Sequence, residues 1–343
     1  MILRPKSSPH RRGTPPGAAA GVPMAAVPAW LRRAIPDPQG LAGKGAGLNA
    51  LEDVAIAAGA GLSALDTVVR RQERWAGAWR QRLALSATAT TAKQAGRIED
   101  EAALRDTVLL TKAGDDVGPA GRMVLAWRRL VTRPSEDLLT RKNLGAVMEE
   151  FGHALPDQAL GDLADELRQL GAGGMVDMVD GAFTAAEHHG VGRAVGAWLA
   201  DALVAQGLGW PRAVPLLGAE VHAAGPGYTR RSGTAIAASF EDESARARSL
   251  LAAQARAALR AIDLSAELGR KADRLLAVAP KLRAKAADTV IARLLNEDAL
   301  AASRGDKKTG MSDRGLRRLF DRLVELGAVR ELSGRPTFRI YGL

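Results

Sequence analysis

Apolar residues recur at i, i+3, i+4 spacing along most of the chain from Leu48 onward, the pattern of one buried helical face. The sharpest case lies near the C-terminus. Leu316, Leu319, Phe320, Leu323, Val324 and Leu326 share one face, while Arg314, Arg317, Arg318 and Arg322 cover the rest with Asp321 and Glu325 interspersed. Ser312 stands where its hydroxyl can accept an orphan N–H of the first turn, and Asp313 suits the positive end of the helix dipole. Position 315 is Gly315, so a reciprocal capping box is missing. Gly327 falls where a helix usually ends in a left-handed residue.

Beyond Gly327 the period changes to two. Ala328–Leu332 and Thr337–Tyr341 read as short strands joined by the turn Ser333-Gly334-Arg335-Pro336. On the return strand Phe338 and Ile340 face one side, and Thr337, Arg339 and Tyr341 the other. So small a hairpin is marginal alone and must pack on the helix. Phe338 is expected to be its core contact, facing Leu323 or Leu319, with Arg335 at the tip.

Upstream, helical patterning runs from about residue 48 to residue 94, with an interruption expected near Gly59 or Gly61 and close helix approach at those glycines. Trp75 and Trp79 lie one turn apart and read as core. Arg97–Leu110 puts Glu99, Asp100 and Glu101 in a first turn, with Glu101 and Arg105 at i,i+4 spacing. More helices follow around 121–131, 135–151, 156–170, 193–206 and 241–276. Pro280 closes the last, and Lys281–Lys285 reads as an exposed basic joint. Ala287–Asn296 and Glu297–Ser303 fit two short helices ahead of the arginine-rich one, and Lys307 and Lys308 lie in the polar connection between. The predicted fold is mainly α: a multi-helix body with a small C-terminal winged helix-turn-helix carrying one β-hairpin. Its expected parts are a disordered basic tail (1–27), a helical domain (28–280) and the winged unit (281–343).

Composition agrees with this outline. Hydrophobic residues reach 47% but aromatics only 4%, with alanine and leucine dominant, which favours closely packed helices over sheet. The net charge is +10, arginine far outnumbering lysine, a balance suited to a polyanionic partner. The chain has no cysteine, which removes disulfides, thiolate metal sites and cysteine nucleophiles and is compatible with the cytoplasm. No apolar run reaches the roughly 18 residues of a membrane span, so no membrane partner is expected.

Catalytic signatures are absent. Gly171, Gly173 and Gly174 have neither the Lys-Ser/Thr nor the preceding strand of a phosphate loop. Glu187-His188-His189 is the most conspicuous polar group of the central region. Adjacent helical residues diverge by about 100°, so a single metal is not expected to take both rings. Neither this group nor Glu99-Asp100-Glu101 makes an enzyme the leading reading, and no cofactor is implied.

Several stretches resemble one family: WAGAWRQRLAL, GRIEDEAALRDTVLL, GPAGRMVLAWRRL, LGWPRAVPLLGAE, APKLRAKAADTVIARLL and the segment from Met311 to Leu343. Together they are similar to an alphaproteobacterial family known as domain of unknown function 1403, over most of the chain after about residue 27. The last segment also resembles the terminal helix-turn-helix of a second family that includes Fic-type proteins. The Fic nucleotidylation motif, HPFxxGNGR in outline, is absent here, so that activity is not carried over. The resemblance supplies no substrate, cofactor or catalytic residue. The expected function is DNA binding by the winged unit through Arg314, Arg317, Arg318, Arg322, Arg335, Lys307 and Lys308, the first arginines at base edges and Arg322 and Arg335 at phosphates. The alternative is a helical scaffold, or homodimer, whose winged unit binds protein.

Overall fold

Alanine-rich seams set the architecture, because small side chains let helix axes approach closely. A computed structural model describes residues 27–35, 50–112, 114–220, 240–282, 286–302 and 311–343, with side chains from residue 244 onward in the fourth of these segments. The expected tail (save Val27), Lys307, Lys308 and residues 283–285 of the expected basic joint lie outside the described residues. The fold is mainly helical. Its α-helices are α1 (Ala29–Ala34), α2 (Leu51–Arg70), α3 (Ala76–Gln94), α4 (Glu101–Leu109), α5 (Gly118–Thr132), α6 (Arg141–Phe151), α7 (Asp157–Leu170), α8 (Met175–His188), α9 (Gly192–Gly207), α10 (Phe240–Val278), α11 (Ala287–Asn296) and α12 (Asp313–Glu325). Strands β1 (Leu300–Ala301), β2 (Arg330–Glu331) and β3 (Ile340–Gly342) form an antiparallel sheet in the order β1-β3-β2.

α2 runs unbroken through Gly59 and Gly61, where the sequence suggests an interruption. Neither glycine is needed for close helix approach: a Cβ at Gly61 would make an ordinary 3.7 Å contact with the Ala255 backbone of α10, and one at Gly59 would meet nothing within 4 Å. Helix α2 ends at Arg70, and the chain turns through Gln72 at φ 47°. α3 follows, buried on nearly every side from Ala78 to Ala92, as a helix enclosed by others must be.

Buried tryptophans join these helices, each indole N–H finding an acceptor on another element. Trp79 donates to the Ala261 carbonyl at 2.9 Å, Trp127 to Thr91 Oγ1 at 3.2 Å, Trp198 to the Ala126 carbonyl at 3.0 Å and Trp210 to Asp66 at 2.8 Å. Trp75 donates to Ser265, so the Trp75/Trp79 pair is packing, as its spacing predicts.

Three expectations about the C-terminal unit are corrected. Glu297–Ala302 is not helical: Glu297 is extended, and Leu300 and Ala301 pair with Tyr341 and Ile340. Phe338 is not core but 59% exposed at φ 55°, and the return strand begins only at Ile340. A left-handed residue between Pro336 and the strand breaks the two-residue alternation, so Ile340 and Tyr341 are both buried. Tyr341 takes the role expected of Phe338, stacking on Phe320 with ring centroids 4.4 Å apart. Val324, assigned to the apolar face, is exposed.

Asp201 of α9 anchors the loop after its helix. It is wholly buried and accepts backbone N–H groups of Leu216, Leu217 and Gly218 at 2.9, 3.1 and 3.5 Å. Gly218 lies flat on Trp127, where any Cβ would come within 2.1 Å of the ring. Burial pushes the Asp201 pKa up to about 7, against the three N–H groups, which favour the charged form. Between its ordinary 3.8 and about 7, the folded chain holds a proton that the unfolded chain has lost. The group's contribution to stability is therefore fullest below about pH 4 and falls away as pH rises towards 7. The stability advantage of wild type over Asp201→Asn should thus shrink by roughly 2–4 kcal/mol across this window and stay flat above it. Denaturant titrations at a series of pH values measure the difference; a pH-independent one contradicts the assignment.

Candidate nucleic-acid interface

The C-terminal unit that carries the arginine-rich helix is tied to the body by a buried carboxylate whose arginine partners lie far away in sequence. α11 packs its apolar side inward and ends beside α3, where Gly77 leaves no room for a side chain: a Cβ would lie 2.6 Å from Asn296 Cα. The chain then turns at Asp298, only 3% exposed. Its carboxylate accepts hydrogen bonds from Arg105 of α4 at 2.6 Å and from Arg82 of α3. Burial alone would raise the Asp298 pKa, but the two guanidiniums more than offset it and hold the group below the usual carboxylate range. Arg105 is thereby engaged with Asp298 and not committed to the expected pairing with Glu101. Half-buried Arg128 lies close by; burial lowers its pKa while Asp298 and Glu297 oppose that shift. Gly342 of β3 presses on the same turn, leaving 2.7 Å between a would-be Cβ and the Asp298 carbonyl oxygen. One hydrophobic core includes Trp79 of α3 together with Leu316, Phe320 and Tyr341 of the C-terminal unit.

On this base α12 stands as its sequence pattern predicts. Ser312 Oγ accepts the Gly315 N–H at 3.2 Å, and Gly327 is left-handed at φ 64°. Leu316, Leu319, Phe320 and Leu323 are buried, while Arg314, Arg317, Arg318 and Arg322 are exposed. Arg322 pairs with Glu325 at 3.0 Å. Arg314, Arg317 and Arg318 form no ion pair within the described residues. Arg335, in the β2–β3 connection, pairs with Asp106 of α4 and so ties that loop to the body.

A cleft of about 410 Å³ separates α12 from that loop, lined by Arg317, Asp321, Thr337, Phe338 and Arg339 among others. Sequence alternation missed the outward place of Phe338. A proline two residues ahead of Phe338 is the one signal that regular pairing starts late there. Tyr341 first, then Glu331 and Asp321, hold the Arg339 pKa above its ordinary value.

The other candidate groups come apart. Glu99 pairs with Arg97, Asp100 caps α4 by accepting the Ala103 N–H at 2.8 Å, and Glu101 enters the first turn. Glu187 turns towards Arg246 at 3.9 Å, whereas His188 and His189 stay together with ring centroids 5.0 Å apart.

Over residues 22–343 the chain matches the family described as Protein of unknown function (DUF1403). It belongs to that family. No curated protein and no solved structure matches it. No helix among the described residues of this DUF1403 member is long and apolar enough to cross a membrane.

The Asp298 cluster makes a direct prediction. Asp298→Ala leaves the buried Arg105 and the part-buried Arg82 guanidiniums without their partner and should cost about 3–5 kcal/mol of stability. Equilibrium unfolding of wild type and variant measures it, and a change within about 0.5 kcal/mol, the range of an ordinary surface substitution, would contradict the anchoring role.

Proposed function

We propose that the C-terminal unit is a winged helix-turn-helix that binds duplex DNA through α12. The observation carrying this reading is the row Arg314, Arg317 and Arg318, exposed and without carboxylate partners among the described residues, on a helix whose opposite face is locked into the core. Cations so placed are available to phosphates and base edges. The order helix, strand, helix, hairpin, with β3 central in a three-stranded sheet, supports the winged outline. The net charge of +10 supports a polyanionic partner.

In this reading the N-terminal end of α12 enters the major groove. Arg314 and Arg317 reach base edges there, and a guanidinium can pair bidentately with guanine O6 and N7. Arg318 and Arg322 meet phosphates, joined by Lys307 and Lys308 from the connection into α12. Arg335 contacts phosphate only by exchanging Asp106 for it. The exposed Phe338 over the cleft favours a second reading, a helical scaffold or dimer whose winged unit binds protein.

Binding isotherms of the full chain on a selected sequence and on scrambled duplex test the proposal. Arg317→Ala should weaken the selected duplex by about 1–3 kcal/mol and scrambled duplex far less. Arg335→Ala, which removes a group already paired within the protein, should leave both isotherms close to wild type. If the wild-type chain binds neither duplex, or Arg314→Ala, Arg317→Ala and Arg318→Ala all bind as it does, the DNA reading fails and the protein-binding one replaces it.

A further inference from the structure

We propose that Glu166, His188 and His189 form a binding site for a divalent first-row transition metal of the zinc type. Glu166 of α7 is part-buried, and His188 and His189 at the C-terminal end of α8 approach it. His188 Nδ1 and His189 Nε2 approach the same Glu166 oxygen, at 3.6 and 3.1 Å. The three ligand atoms lie within 4.8 Å of one another. Metal–ligand bonds of about 2.0–2.2 Å in a tetrahedral site set ligand atoms roughly 3.3 Å apart, so only small side-chain movements are needed. Adjacent residues on a helix do diverge, but these two rings flank one carboxylate on the neighbouring helix instead of meeting above their own.

The donor set chooses the ion. Two imidazoles and one carboxylate suit zinc, nickel or copper, whereas magnesium and calcium require mostly oxygen. Cysteine is absent from the chain, so no thiolate competes for the ion. The surrounding charges permit a cation: Arg168 is paired with Asp165 at 2.5 Å, and Arg246 with Asp180 at 2.6 Å. The His189 side chain is 10% exposed and that of Glu166 33%, while His188 is 74% exposed. His189 is therefore seated by packing with Glu166 part-buried beside it, and the solvent side leaves a fourth position for water. Gly190, left-handed at φ 68°, ends the helix directly after the ligands and holds their backbone. With three protein ligands and one exchangeable position, the site could hold a bound water ready for polarisation.

Calorimetric titration of the metal-stripped full chain with zinc ion tests the site, with His153→Ala as control because His153 lies outside it. One zinc per chain is expected for wild type and control. His188→Ala, His189→Ala and Glu166→Gln should each weaken binding by at least the roughly 10–100-fold typical of losing an outer-shell partner. His188 is exposed, so its replacement leaves the fold intact, and circular dichroism checks the other two. Cobalt ion provides a second readout, giving visible d–d bands with wild type that vanish in the His189→Ala chain. Absence of saturable zinc binding, or binding with wild-type affinity in any folded variant of the three, overturns the proposal.

Discussion

The placement of the C-terminal unit depends on one buried carboxylate. Asp298 stands between Arg82 and Arg105, separated from them by 216 and 193 residues of chain. Charges are taken out of water only at considerable cost, which geometry and further hydrogen bonds must offset. Here Arg82 also reaches the Asp298 backbone oxygen, and close backbone contacts at Gly77 and Gly342 leave the turn no slack. The ion cluster contributes less as net stability than as a fixed orientation, because each partner is costly to bury without the others. α12 consequently presents its arginines from a platform continuous with the helical core.

That dependence explains which features were legible in the sequence. The α12 face, its Ser312 cap and its Gly327 stop are local, set by spacing and by the needs of backbone groups at helix ends. Trp75 and Trp79 read correctly as core for the same reason, one turn of helix being enough to place them on one side. The Asp298 cluster could not be read, since an acid beside glutamate and alanine carries no local mark of partners so distant in sequence. The strand at Leu300–Ala301 was hidden likewise: two residues have no period, and only pairing with β3 makes them a strand. Phe338 departs from the alternation of Thr337–Tyr341 because its own backbone is left-handed, which residue spacing does not reveal.

The candidate sites obey similar logic. Arg314, Arg317 and Arg318 were identifiable because exposure follows from helical period, whereas the engagement of Arg335 with Asp106 depends on tertiary packing. The histidine pair was visible as residues, but the partner Glu166 was not, since it comes from another helix. Two separate surfaces result, one cationic at the C-terminal unit and one ligand-rich at the end of α8, on the same tryptophan-linked core.

The salt dependence of duplex binding tests the central claim most directly. The affinity of the full chain for mixed-sequence duplex should be measured across salt concentrations beside a variant carrying Arg314→Ala, Arg317→Ala and Arg318→Ala together. Each phosphate neutralised contributes about 0.9 to the slope of log affinity against log salt. If the α12 face is the contact, with Arg318 at a phosphate and Arg314 and Arg317 at base edges, the variant should lose about 1 from the magnitude of that slope. An identical slope in the two proteins would place the contact elsewhere and contradict the account.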